Sequence, residues 1–203
     1  MNEYLIIYLI VVLSTIIVTI LFRLIYDYKK VKIKKQYLNR NSLLEYEKII
    51  NEFREKYQID LNDNIETIVH KLNLKVEYVK LPRGIEGKIE DKKILISENA
   101  FFREKQFCIA HEIGHIIRGD LSGTKKRHSV FLRNENEDKL DYIAAALILP
   151  KLIMEQELEK NKFDLKNSKQ KMAFIRELSD KYNIQKELII RRIHEIKLMS
   201  ESE

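Results

Sequence analysis

AHEIGHIIRGD, residues 110–120, decides how the rest of the chain is read. His111 and His115 are four apart, and Glu112 directly follows the first. In a helix, residues i and i+4 share a face, so two imidazoles can aim at one ion. Zinc accepts imidazole nitrogen, takes four ligands, and in catalytic sites leaves one position open. A carboxylate beside such an ion can act as general base on water that the metal has acidified. This is the chemical content of H-E-x-x-H on a helix. The competing reading is two ordinary helix histidines and a solvated glutamate. The surroundings argue against it: Ile109, Ile113 and Ile116 make the stretch apolar, and two unpartnered imidazoles are costly to bury there. Gly114 keeps the face between the histidines thin, and Gly119 is a plausible stop.

Such a site needs a third ligand. Glu137, 22 positions after His115, opens the next predicted helix, and Asp141 lies four residues further on the same face. One carboxylate can bind the metal while the other accepts the ring N–H of a ligand histidine. Glu135 and Asp138 compete for the ligand role, and all these acids would also suit a solvated helix N-terminus.

Outward from the motif, LKVEYVKL (74–81) alternates as a strand, Pro82-Arg83-Gly84 marks a turn, and GKIEDKKILIS (87–97) reads as a hairpin around Asp91 and Lys92. Helical spacing predicts a helix over 41–57 and a short one through IETIVHKL, capped by Asn62 or Asp63. Another helix covers about 136–149 and meets Pro150. Residues 120–135 read as a loop with a short extended piece at 129–132. Two or three further helices fill the tail. Within it, 178–196 resembles a small helix-turn-helix with Ile184 in the turn, either touching DNA or packing as a helical cap.

The chain has 203 residues and one cysteine, so no intrachain disulfide can form. Its net charge of +6 is uneven. Residues 1–40 hold seven Lys and Arg against two acids, which leaves a near-neutral remainder and argues against nucleic acid as a partner. Residues 4–22, YLIIYLIVVLSTIIVTILF, carry no charge, Gly or Pro. About 20 apolar residues suffice to span a bilayer. The lysines at 29–35 follow this run, so the expectation is a single-pass cell-membrane anchor with the N-terminus outside and the remainder cytoplasmic.

FCIAHEIGHIIRGD followed by ENEDKLDYIAAALILP resembles the ImmA/IrrE family of metallopeptidases. Phe107, Ala110, His111, Glu112, Gly114 and His115 fit the first part of the family pattern. Glu137, Asp141, Ala144, Ala145, Leu147 and Pro150 fit the second. Leu140, Ile143 and Leu149 depart from it and stay apolar. Gly87 and ILIS resemble the edge strand before the family's zinc helix.

The resemblance implies a zincin-like, gluzincin-type α+β fold: a small β-sheet packed on the HExxH helix, with a helical C-terminal part. It also implies a Zn2+ cofactor and site-specific cleavage of a regulatory protein, such as a transcriptional repressor or, given the anchor, a membrane-associated regulator. The expected organisation is an anchor and basic segment over 1–40, a peptidase domain over 41–160 and a helix-turn-helix-like segment over 161–203. The expected roles are zinc ligation by His111, His115 and Glu137, general-base catalysis by Glu112, outer support by Asp141 and oxyanion stabilisation by His128. Cys108 falls on the histidine face, either as a packed thiol or near the metal. The rival function is a regulator that uses the same fold to bind a protein or DNA with little proteolysis.

Overall fold

The computed structural model describes residues 12–23, 39–119, 135–161 and 168–200. The chain divides into two units, Met1–Asn39 and Arg40–Glu203.

In the first unit residues 12–23 form a helix, α1. No helix among the described residues is long and apolar enough to cross a membrane. The expected transmembrane anchor, and the single-pass topology built on it, are corrected accordingly. Residues 4–11 and the lysines at 29–35 lie outside the described residues.

The second unit is α+β, in the order α2 (Arg40–Lys56), α3 (Ile65–Lys71), β1 (Lys75–Val79), β2 (Gly87–Glu90), β3 (Lys93–Ser97), α4 (Phe102–Ile117), α5 (Glu135–Ile148), α6 (Lys151–Asn161), α7 (Ser168–Lys181) and α8 (Lys186–Ser200). α3 is capped by Asn64, whose side chain accepts from the Thr67 N–H at 2.8 Å. Asn62 and Asp63, the caps read from sequence, lie two residues and one residue too early. Asp63 instead pairs with Lys71 at 2.6 Å.

β2 and β3 form the predicted hairpin, with Asp91 and Lys92 at φ 42° and 64°. Two left-handed residues match the right-handed twist of the flanking strands. β1 pairs in parallel with β3, so the sheet order is β1-β3-β2. The chain passes from one edge to the other and then returns between them. Ile94 and Ile96 on the central strand are fully buried, and α4 packs across β2 and β3.

α4 and α5 make the most extensive helix pair. They meet at Gly114, where a Cβ would lie 3.3 Å from Leu140 Cδ2 and 3.6 Å from the Leu140 carbonyl. α2 also packs on α5, and its Leu43, Ile50 and Phe53 are buried. Pro150 has no N–H to offer the end of α5. Two arginines reach this end: Arg54 Nη2 donates to the Leu147 carbonyl at 2.7 Å and Arg192 Nε to that of Leu149 at 3.1 Å.

α7 and α8 pair around a turn in which Ile184 is fully buried and Asn183 takes φ 52°. α8 turns its apolar face and Arg192 inward onto α2 and α5. Arg192 Nη2 donates to Glu47 at 2.9 Å and Nη1 to Glu195 at 3.1 Å, and its guanidinium lies 5.3 Å from the centre of the Tyr142 ring.

Candidate metal centre

α4 carries the motif into the middle of the fold, where His111, Glu112 and His115 are all buried. The two imidazoles stand edge to face with centroids 5.3 Å apart. α5 faces them. Its first turn brings Glu137 Oε2 to 3.3 Å from His111 Nε2, and its second brings Asp141 Oδ1 to 3.0 Å from His111 Nδ1. The i, i+4 spacing on α5 thus places a carboxylate at each nitrogen of one ring. Arg118, just beyond α4, donates to the backbone and side-chain oxygens of Asn136 at 3.2 and 3.3 Å. That grip fixes the start of α5 next to Glu137.

Charge follows from this geometry. Burial works against a charge on His111, but the hydrogen bonds and charges of Asp141 and Glu137 outweigh it and push the imidazole up to about 10. The His111 contact, with further help from His115, holds the Glu137 carboxyl below its ordinary value. Burial pushes Glu112 up to about 7, against the pull of His111 and with Glu137 adding to the rise. Three carboxylates close on one buried point therefore favour a positive charge there.

Among the described residues no three His, Cys, Asp or Glu side chains are gathered tightly enough to form a complete metal cage. What is formed is one donor pair. Two donors about 2.0–2.1 Å from a tetrahedral zinc ion stand about 3.3 Å apart, and His111 Nε2 and Glu137 Oε2 have this separation. The Nδ1 contact with Asp141 is the outer hydrogen bond that a metal-binding histidine usually makes. The spacing, charge and donor chemistry of His111 and Glu137 fit two ligands of a divalent ion, and His115 lies one turn further along α4.

Gly87, at the start of edge strand β2, lies directly against Glu112. A Cβ there would stand 3.0 Å from Glu112 Oε1 and 3.4 Å from its Cγ. Cys108 is buried, and its thiol donates to Glu86 Oε2 at 3.6 Å. Burial and then the charges of Glu112, Glu104 and Asp141 push it up to about 12, so it keeps its proton near neutral pH as a packed thiol does. Asp138 turns its backbone carbonyl to Arg191 at 3.0 Å. His128 lies outside the described residues, and so does the side chain of Glu135. Sequence reasoning passed over Arg118 and Arg191; single arginines at those positions carry no pattern that marks them.

Residues 63–194, more than half of the chain, match the family model Peptidase_M78, described as IrrE N-terminal-like domain. No curated protein matches the chain.

Proposed function

Because the chain belongs to the Peptidase_M78 family of IrrE N-terminal-like domains, and so carries a metallopeptidase-like domain, we propose that it is a zinc-dependent endopeptidase acting on a regulatory protein. His111, His115 and Glu137 hold the metal and Glu112 is the general base. The observation that carries this reading is the placement of Glu137 and Asp141 on the two nitrogens of His111.

When bound, zinc supplies Lewis acidity, which polarises a carbonyl and acidifies water. The chain's own residues do the rest. Asp141 accepts from His111 Nδ1, which fixes the tautomer and leaves Nε2 as a donor of electrons. Buried Glu112, with its carboxyl raised to about 7, suits proton transfer near neutral pH. It takes the proton from the attacking water and returns it to the leaving amine. β2 is an edge strand, and its Gly87 abuts Glu112. An extended peptide that adds to that edge passes the base in the conformation that strand pairing imposes. The substrate class, a repressor-like regulator, rests on the resemblance in residues 107–150.

The test is purification of the full chain, zinc quantification, and incubation with folded repressor-type proteins beside the Glu112→Gln variant. Cleavage at one bond by the wild type, absent in the variant and abolished by chelation, is the expected result. Equal cleavage by both proteins overturns the reading.

A further inference from the structure

We infer that Arg191, on the C-terminal helix α8, is a positioning residue of the metal site, acting through Asp141; this rests on the metallopeptidase reading above. Asp141 offers two oxygens. Oδ1 faces His111 at 3.0 Å, and Oδ2 faces Arg191 Nη1 at 3.5 Å. The guanidinium is itself held at two further points. Its Nε donates to Glu195 Oε1 at 2.7 Å, and Nη2 donates to the Asp138 carbonyl on α5 at 3.0 Å. Glu195 is in turn fixed by Arg192 through its other oxygen at 3.1 Å. A line of charged contacts thus runs Glu195–Arg191–Asp141–His111, from the last helix to the candidate ligand.

A carboxylate that orients a ligand histidine must have its own rotation stopped. Asp141 is nearly fully buried, and Arg191 supplies a cation that faces its second oxygen, Oδ2. A planar guanidinium is suited to this, because one rigid fork reaches a carboxylate, a carbonyl and a second carboxylate at once. Burial opposes the charge on Arg191, and Glu195, Asp141 and Asp138 more than restore it. The arginine of a helix-turn-helix-like segment is thereby turned toward the metal site rather than outward. α8 then belongs to the catalytic apparatus, and whatever displaces α8 also loosens His111.

The experiment measures zinc dissociation constants on the full chain by competition with a chromogenic chelator. It compares wild type, Arg191→Met, Asp141→Asn and the double variant, with circular dichroism as a check on folding. Loss of an outer partner typically weakens metal binding by roughly 10–100-fold. Arg191→Met is expected to weaken zinc binding about 10-fold in the wild-type background. In the Asp141→Asn background it is expected to change nothing, because coupled residues are not additive. A merely structural role would weaken binding equally in both backgrounds, and that result overturns the inference, as does unchanged affinity in a folded Arg191→Met. If Arg191→Met does not fold, Arg191→Lys takes its place; one ammonium cannot span the three acceptors, so the weakening should persist. Wild-type affinity in Arg191→Lys overturns the inference as well. A wild-type chain that takes up no zinc overturns the metallopeptidase reading itself, which is a separate and recognisable failure.

Discussion

His111 Nδ1 stands 3.0 Å from Asp141 Oδ1, so the ring is oriented from behind before anything binds in front of it. Its Nε2 lies 3.3 Å from Glu137 and is the nitrogen available to an ion. The first prediction follows. The purified wild-type chain should carry about one zinc per chain, and His111→Ala should fall to background by elemental analysis. Full occupancy in His111→Ala would remove the site.

Glu112→Gln should keep zinc and lose turnover. The amide preserves the shape of the side chain but has no basic oxygen at neutral pH. General-base catalysis contributes about 10²–10⁴-fold, so kcat should fall in that range with KM nearly unchanged. Retained activity would favour the rival reading, in which the fold binds a partner without cutting it.

Arg192 anchors α8 by a different route from its neighbour. It is fully buried and bridges Glu47, Glu195 and the Leu149 carbonyl. Arg192→Met would leave Glu47 buried without the guanidinium it accepts from, while Glu195 keeps Arg191. Breaking a buried pair in this way costs about 3–5 kcal/mol. Urea unfolding should show a loss of that size, partly recovered by adding Glu47→Gln. A loss below about 1 kcal/mol would mean that the cluster relaxes into water.

α6 is tied to α7 by Glu157, which accepts from Lys181 at 2.8 Å and lies 3.6 Å from Lys160. Burial alone would raise this carboxyl, but the two lysines bring it below its ordinary value. A depressed carboxylate stabilises the fold above its unfolded pKa, and that contribution is lost as pH falls through the folded value. The melting temperature of wild type should therefore exceed that of Glu157→Gln near neutrality. The gap should close as pH drops below the ordinary glutamate range of about 4.3. A gap that is constant with pH would show that the charge plays no part.

Much of this was legible in the chain. The four-residue step from His111 to His115 and the apolar residues Ile109 and Ile113 announce α4, because helix periodicity and a buried face leave that mark. Asp91 and Lys92 sit where the alternation reverses. The sheet order was not legible: β1 pairs with β3 across an intervening strand, and parallel pairing leaves no local signature in either one. Asn64 was displaced in the reading by Asn62 and Asp63 because several adjacent polar residues can each cap. The anchor was read from an uninterrupted apolar run; a span takes about 20 apolar helical residues, and no helix among the described residues is long and apolar enough to cross a membrane. At the site, Glu137 and Asp141 were legible as an i, i+4 pair opposite an i, i+4 pair. Arg191 was not, because its partner lies 50 positions away and only the packing of α8 brings them together.

Gly87 gives the last prediction. Its φ is not the constraint; the space beside it is. A Cβ would stand 3.0 Å from Glu112 Oε1, 3.2 Å from Ile96 Cδ1 and 3.4 Å from Glu112 Cγ. Such contacts require the neighbours to give by a few tenths of an ångström. Ile96 is fully buried in the central strand and has little room to move. The carboxylate of Glu112 is the free end of a flexible side chain, so it yields. Gly87→Ala should therefore displace the base while leaving His111, His115 and Glu137 in place. A misplacement of about 1 Å can cost roughly 100-fold in rate, so a smaller shift should cost about 10-fold in kcat. Zinc content should be unchanged, and stability should fall by no more than about 1–3 kcal/mol, the usual cost of a modest overpacking. Gly87→Val, with two further carbons, should lose more rate by the same route. Kinetics and zinc analysis on the same preparations decide the matter. Loss of metal in Gly87→Ala would place the damage at the ligands, and unchanged kcat in both variants would mean that β2 does not set the position of Glu112.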